Sequence, residues 1–230
     1  MSCLSTFWVA CSVRLYHLRQ FFRNFSYYYL WHLKFFLADM LLLSFYFFKS
    51  PYRLVREYDQ LNPEMSLGPY GESDFYTAAR IFSAFSIPKT ASVVELGSGR
   101  GRLCLWLSMV RGQEYVCGIE ALDSMSQRAR RIQRWFCRDG LDFYTGNWHA
   151  MPLPPVDVYY LYAAAETDEQ VREMAHALSR LRKGSRIITI GWWLGEGAPE
   201  NFVLEKTLSV KMEWGKSRAF LQKVVSSSRQ

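Results

Sequence analysis

The chain has 230 residues, a formal net charge of +7 and an aromatic content of 17%. That length suits one well-buried domain with an appendage, and the five cysteines form no C-x-x-C pair and no zinc spacing. Residues 1–60 carry seven Lys/Arg against three Asp/Glu, a net +4 of the +7, so the basic excess points to a membrane surface before nucleic acid.

Phe7 to Cys11 is too short for a signal-peptide core and has no basic residue before it. From Leu18 a helical period begins. Leu18, Phe21, Phe22, Phe25, Tyr28 and Tyr29 share one face, with Arg19, Gln20, Arg23, Asn24 and Ser26 on the other. This is the pattern of a basic amphipathic helix that can lie on an anionic membrane. Tyr27 to Phe48 would span about 33 Å as a helix, enough to cross a bilayer. His32 and Lys34 can snorkel from its start, but Asp39 near its middle would cost about 2.5–3.5 kcal/mol in lipid. Lys49, Arg53 and Arg56 follow, so positive charge flanks both sides and sets no topology. Three arrangements stay open: association in the membrane plane or as a hairpin, a true span, and helices packed on a soluble domain. Pro51 interrupts the helix. Residues 57–69, with Asn62-Pro63 and Gly68-Pro69, read as a linker. The expected organisation is a hydrophobic and basic segment 1–56, a linker 57–69, a catalytic domain 70–225 and a polar tail 226–230.

Tyr70-Gly71-Glu72-Ser73 leads into a helical run, Asp74 to Phe85, with Ser73 as N-cap and Ala78, Ile81, Phe82 and Phe85 as the buried stripe. Ser92 to Leu96 is a strand. Three glycines follow at alternate positions, Gly97, Gly99 and Gly101, and then a helix from Arg102 to about Val110. Such a turn lets a ligand approach the main chain. It is not a P-loop, because Arg102-Leu103 stand where Lys-Ser/Thr would end one. A dinucleotide fingerprint counted from Gly97 would place Arg102 at its third glycine.

Glu95-Leu96-Gly97-Ser98-Gly99-Arg100-Gly101 resembles motif I of the class I S-adenosylmethionine (SAM) methyltransferases, E/D-x-G-x-G-x-G. Nineteen residues after Gly101, the strand-like Tyr115 to Ile119 ends in Glu120. The resemblance implies SAM as cofactor, held by Glu95, Gly97, Ser98, Gly99 and Gly101, with Glu120 accepting both ribose hydroxyls. A carboxylate suits that task because it only accepts and takes two donors at once. It also implies a lid just before the motif. Tyr70 and Glu72 are therefore candidates for the cofactor's ammonium or the substrate.

A helix over about Ser124 to Arg138 carries five arginines, either a solvated face or a dock for an acidic partner. Strand three, Leu141 to Thr145, ends in Gly146-Asn147-Trp148. By resemblance Asn147 replaces the usual acid at the adenine amino group, and Trp148 stacks on the ring. Val156 to Tyr162 is strand four, apolar enough to be buried on both faces. The Asn/Asp-Pro-Pro-Tyr/Phe signature of amino-directed nucleic-acid and glutamine methyltransferases is absent there. Tyr162 and Glu166 are the best-placed groups to orient a nucleophile or take its proton. Asp168 to Leu181 reads as a helix, Arg186 to Gly191 as strand five, and Trp192 to Gly197 as a substrate-side loop. Lys206 to Trp214 and Arg218 to Val225, joined at Gly215-Lys216-Ser217, form an antiparallel hairpin.

The expected fold is α/β: a Rossmann-like, mostly parallel seven-stranded sheet with an antiparallel C-terminal hairpin, preceded by hydrophobic helices. The chain is similar to a bacterial group of small membrane-associated methyltransferases and, more distantly, to mitochondrial lysine methyltransferases of membrane proteins. That resemblance implies a SAM-dependent methyltransferase tethered to a membrane, its catalytic domain cytoplasmic, acting on a protein side chain with lysine favoured and without a metal. The alternatives are a lipid, quinone or other small-molecule methyltransferase, and a non-catalytic SAM-binding scaffold.

Overall fold

A computed structural model describes residues 18–62, 67, 70–137, 139–162, 167–212 and 215–226. Seven strands form one sheet: β1 Ser92–Leu96, β2 Tyr115–Glu120, β3 Leu141–Thr145, β4 Val158–Tyr162, β5 Arg186–Ile190, β6 Phe202–Met212 and β7 Gly215–Val224. Their order is β3-β2-β1-β4-β5-β7-β6. The first five are parallel, while β7 pairs antiparallel with both β5 and β6. The expected architecture is present in full. The hairpin is longer than its apolar pattern suggested: Met212 pairs with Gly215, so Gly215-Lys216-Ser217 lie in β7, and residues 213–214 lie outside the described residues.

Period-two alternation builds two cores. Val93, Val116, Val158 and Tyr160 face one side of the sheet; Val94, Leu96, Cys117, Ile119 and Tyr159 face the other. The second side is covered by α7 Asp168–Leu178, through Val171, Met174, Ala175 and Leu178. Ser179 to Leu181, expected within that helix, lie beyond its end. The first side is covered by α4 Phe75–Ala84, α5 Arg102–Trp106 and α6 Asp123–Phe136, and also by the N-terminal helices. The helix after the Gly-rich turn keeps α geometry only to Trp106 and continues as a π turn, Leu107–Arg111. The N-cap of α4 is Asp74, whose Oδ2 accepts from the Thr77 N–H at 3.2 Å and its hydroxyl at 3.0 Å. Ser73, expected there, instead bonds the Tyr160 hydroxyl at 2.6 Å.

The N-terminal segment departs most from expectation. Residues 18–24 are helical (α1) and pass into a π turn, Phe25–Tyr29. After a break at residues 30–32 come α2 Leu33–Ser44 and α3 Pro51–Leu61, the latter capped by Ser50 with Pro51 in its first turn. Tyr27 to Phe48 is therefore not one 22-residue helix. Among the described residues no helix is long and apolar enough to cross a membrane. The 12 residues of α2 rise only about 18 Å. The expected linker 57–69 is also shorter, since α3 runs to Leu61.

Of the three arrangements, the one observed packs these helices on the sheet domain. Tyr29, Phe35, Ala38, Leu42, Tyr46, Leu54 and Val55 join the same core as Phe75, Leu103 and Met125. Full burial of a residue such as Phe35 or Leu42 contributes about 1.5–3 kcal/mol. The polarity of α1 is reversed relative to an ordinary surface helix. Asn24 is buried (6% exposed) and Arg23 pairs with Asp74, while Phe21, Phe22 and Phe25 are exposed, Phe22 by 61%.

Candidate functional site

In an open α/β sheet, ligands bind beyond the carboxyl ends of the strands where the strand order reverses. Here that point lies between β1 and β4, and the Gly97–Gly101 turn leaves the end of β1. Gly97 and Gly101 sit at φ +70° and +79°, which side chains rarely tolerate. Their surroundings differ. A Cβ on Gly101 would lie 2.6 Å from the Phe143 ring, whereas one on Gly97 would meet nothing within 4 Å. Gly101 thus allows the turn to pack on β3, and Gly97 leaves bare backbone beside open space. The N–H groups of Gly97 and Ser98 both donate to Ile119 O at 2.9 Å, which ties the turn to β2.

Glu120 ends β2 beside that turn. Its Oε2 accepts the Gly99 N–H at 2.7 Å and its Oε1 the Leu122 N–H at 2.9 Å. Burial pushes its pKa above the usual carboxylate range, and the backbone N–H groups of Leu122, Gly99 and Ala121 oppose the shift. Each oxygen keeps a lone pair for a further donor. Ser98 is buried, and its Oγ has no hydrogen-bond partner among the described residues. Glu95 is buried as well. Burial drives its pKa up to about 8, against the Cys104 thiol that donates to it at 3.0 Å. Glu95 is thus mostly protonated at neutral pH.

The stretch before α4 closes over the turn. The Tyr70 ring would lie 3.0 Å from a Cβ on Gly99, and its hydroxyl bonds Glu72. Glu72 accepts from Arg100 Nε at 2.7 Å, Arg100 Nη2 at 2.6 Å and Arg102 Nη1 at 3.3 Å. Burial would raise the Glu72 pKa, but the adjacent Arg100 charge outweighs it and holds the carboxyl at about 2. An ionised carboxylate with three engaged partners is a poor proton acceptor at neutral pH. In this arrangement Glu72 joins the loop to the turn. Tyr162, at the end of β4, lies against Gly71, where a Cβ would come 2.5 Å from its ring. Tyr70, Glu72, Gly99 and Tyr162 are therefore brought together, and Glu166 lies outside the described residues.

The β3 end holds the two residues expected at the adenine. Asn147 is exposed, and its Oδ1 accepts the His149 N–H at 3.0 Å. The Trp148 ring stacks on His149 at 3.7 Å, so one of its faces is already covered.

Arg102, the first residue of α5, is held from the N-terminal helices. Asp39 of α2 accepts from its Nε at 2.7 Å and Nη2 at 2.6 Å, and from the Tyr29 hydroxyl at 2.5 Å. Asp39 is completely buried. The carboxylate that would have been costly in lipid is thus the internal partner of the Gly-rich turn. Sequence reading passed over Arg100, Arg102 and Asp39 as a set. The available signal was a lone acid in an apolar helix, which demands a cation, and the two arginines flanking Gly101.

Comparison of the sequence with protein-family models and with curated proteins finds no match. Solved structures do match. An RNA methyltransferase from Salinibacter ruber in complex with S-adenosyl-L-homocysteine aligns with a TM-score of 0.54 at 17% identity, over 70% of this chain and 97% of that one. Magnesium protoporphyrin IX methyltransferase (ChlM) from Synechocystis PCC 6803 with bound SAM aligns with a TM-score of 0.53 at 15% identity, over 76% and 97%. TrmN from Thermus thermophilus aligns with a TM-score of 0.53 at 16% identity, over 64% of this chain and 48% of its own length. The chain has the Rossmann-like fold of the class I SAM-dependent methyltransferases.

Proposed function

We propose that this protein is a SAM-dependent methyltransferase acting on an amine of a protein side chain, lysine first. The observation that carries the cofactor assignment is Glu120, a buried carboxylate fixed by two backbone N–H groups next to the bare Gly97 backbone. A vicinal diol fits the lone pairs it retains, and the open side of Gly97 leaves room for the methionine part. Bound SAM supplies a sulfonium methyl, whose C–S electron pair stays on sulfur as the acceptor's lone pair forms the new bond to carbon. The chain's own task is then to position an acceptor about 3–3.5 Å from the methyl carbon. Tyr162, against Gly71, is the residue we assign to orienting the nucleophile, and Glu166, four positions on, is the residue that would take its proton. The lysine preference draws support from the absent Asn/Asp-Pro-Pro-Tyr/Phe signature at the end of β4.

Attachment to an anionic membrane surface, with the catalytic part on its cytoplasmic side, belongs to the same proposal. Its support is the reversed polarity of α1 and the neighbouring exposed Trp31 (78%), Leu33 and Leu37. Arg19 and Lys34, close to these residues in sequence, are exposed too, so charge and apolar surface both suit anionic lipid.

Tritiated SAM incubated with membranes and the purified chain tests the whole reading. Label in protein supports it, and label in lipid replaces the acceptor with a lipid. No label despite measurable SAM binding makes the chain a non-catalytic SAM-binding protein. In calorimetry, Glu120→Ala should weaken SAM binding by about tenfold to a hundredfold; unchanged binding refutes the cofactor assignment.

A further inference from the structure

The turn between α2 and α3 ends in two bare rings. Phe47 and Phe48 are 81% and 93% exposed and meet edge to face, their centroids 5.2 Å apart. The residues on either side tie this turn to the cofactor site. Tyr46 is buried, with the Arg100 guanidinium 5.4 Å and the Arg128 guanidinium 4.5 Å from its ring centroid. Tyr52 lies edge-on to Tyr70 at 5.2 Å, and Tyr70 is the ring that closes over Gly99. A tip that is bare while its flanks are fixed marks a contact surface.

The surface continues onto α6. Phe45 meets the exposed Trp135 edge-on at 6.4 Å, and the Arg131 guanidinium lies 5.7 Å from the Phe45 centroid. The arginines of α6 divide into two kinds. Arg128 stacks on Tyr46, and Arg130 donates to Ser126, Thr145 and Asp123. Arg131 and Arg134 are exposed and make no ion pair among the described residues. The acids within α2 and α6, Asp39 and Asp123, are held by Arg102 and Arg130. Apolar rings and unpaired cations therefore share one patch.

We infer that Phe47 and Phe48 insert into an anionic bilayer while Arg131 and Arg134 meet its lipid phosphates, which seats the cofactor turn at the membrane surface. The inference rests on the membrane attachment proposed above and adds a second contact to it, separate from α1 and made partly by the catalytic domain. Rings exposed to this degree stand clear of the surface, and an acyl layer receives such a tip without a preformed socket. The flanking cations then match the negative headgroups, with Trp135 at the depth where tryptophan is favoured. Leu33 and Leu37, four positions apart and both exposed on α2, carry apolar surface from the tip toward Trp31. Two contacts on one bilayer reinforce each other through effective concentration. Tyr52 and Tyr70 alone separate the tip from Gly99, so acceptors held at the bilayer surface are the ones brought within reach.

The test measures partition of the full chain onto vesicles of phosphatidylcholine alone or mixed with phosphatidylglycerol. Phe47→Ser combined with Phe48→Ser should weaken partition onto the mixed vesicles by more than about tenfold. Arg131→Gln combined with Arg134→Gln should weaken it by about thirtyfold on the mixed vesicles only. All four side chains are exposed, so both variants should keep the wild-type circular dichroism spectrum and, without lipid, the wild-type affinity for S-adenosylhomocysteine. Unchanged partition of either double variant overturns the inference and leaves α1 as the membrane contact. If the phenylalanine variant instead loses self-association in sedimentation, with partition unchanged, the patch belongs to a second copy of the chain and the inference falls. No partition of the wild type onto mixed vesicles overturns the inference together with membrane attachment, while S-adenosylhomocysteine binding, measured without lipid, judges the cofactor assignment separately.

Discussion

Asp39 and Arg102 are 63 positions apart and meet through two hydrogen bonds of 2.7 and 2.6 Å, the acid wholly buried and the arginine at the start of the helix behind the Gly-rich turn. Removing one partner of such a pair strands the other charge, so Asp39→Ala should lower stability by about 3–5 kcal/mol, read from urea unfolding. Glu72 at 3.3 Å from Arg102 offers partial compensation and favours the lower end. A loss below about 1 kcal/mol, the value of an exposed pair, would show that Arg102 reaches water instead.

Gly101→Ala combines a left-handed backbone with a contact of 2.6 Å to Phe143. It should cost about 1–3 kcal/mol and displace the turn from β3. A lowered Tm together with weakened SAM binding is the expected pair of results. At Gly97 the strain is similar but no atom is met, so Gly97→Ala should cost less in stability than Gly101→Ala. The reverse order would count against the packing role given to Gly101.

Burial holds the Glu95 pKa at about 8, above its value in an unfolded chain. The folded state therefore binds more protons between about pH 4.5 and 8. Stability from this group is fully present below the lower value and falls as pH rises, by about 1.4 kcal/mol per unit at the steepest. Glu72 has the opposite sign: its pKa near 2 adds stability above the unfolded value, lost as pH falls toward 2. Denaturant titrations of the wild type and Glu95→Gln between pH 5 and 9 should differ in slope, with the variant flatter. Parallel curves would mean that Glu95 is ionised in the fold.

Flotation with vesicles containing anionic lipid should carry the protein upward, and neutral vesicles should carry less of it. Replacing both Phe22 and Trp31 by Ser removes two exposed rings and should abolish flotation while leaving the circular dichroism spectrum unchanged. Retention by neutral and anionic vesicles alike, or by neither, contradicts the assigned surface.

The strands and the Gly-rich turn were legible because their signals are local: β-branched runs, alternating glycines and an acid one strand later. Glu120 was legible through the motif resemblance together with its distance from Gly101, and it lies beside Gly99. The N-terminal helices were not legible, because hydropathy does not distinguish an apolar face bound for lipid from one bound for a sheet. Asp39 marks the difference. Its partner lies 63 residues away, where no helical or strand period reaches. Ser73 and Asp74 were confused for a related reason: either side chain can cap a helix, and the choice was made by Tyr160, across the core. The pairing of Glu72 with Arg100 and Arg102, 28 and 30 residues on, was beyond the reach of a local pattern for the same reason.

The core shared by Phe35, Leu42, Phe75 and Leu103 bears on how the protein can be cut. A chain shortened to begin at residue 70 would resemble a tidy catalytic unit by sequence. It would nevertheless expose the side of α4 and α5 that the first three helices cover, and leave Arg102 without its acid. Such a fragment should aggregate or bind hydrophobic dyes, and exchanging the first sixty residues for an unrelated anchor would not rescue it. In the terms of protein engineering, this N-terminus is a wall of the building before it is a mooring.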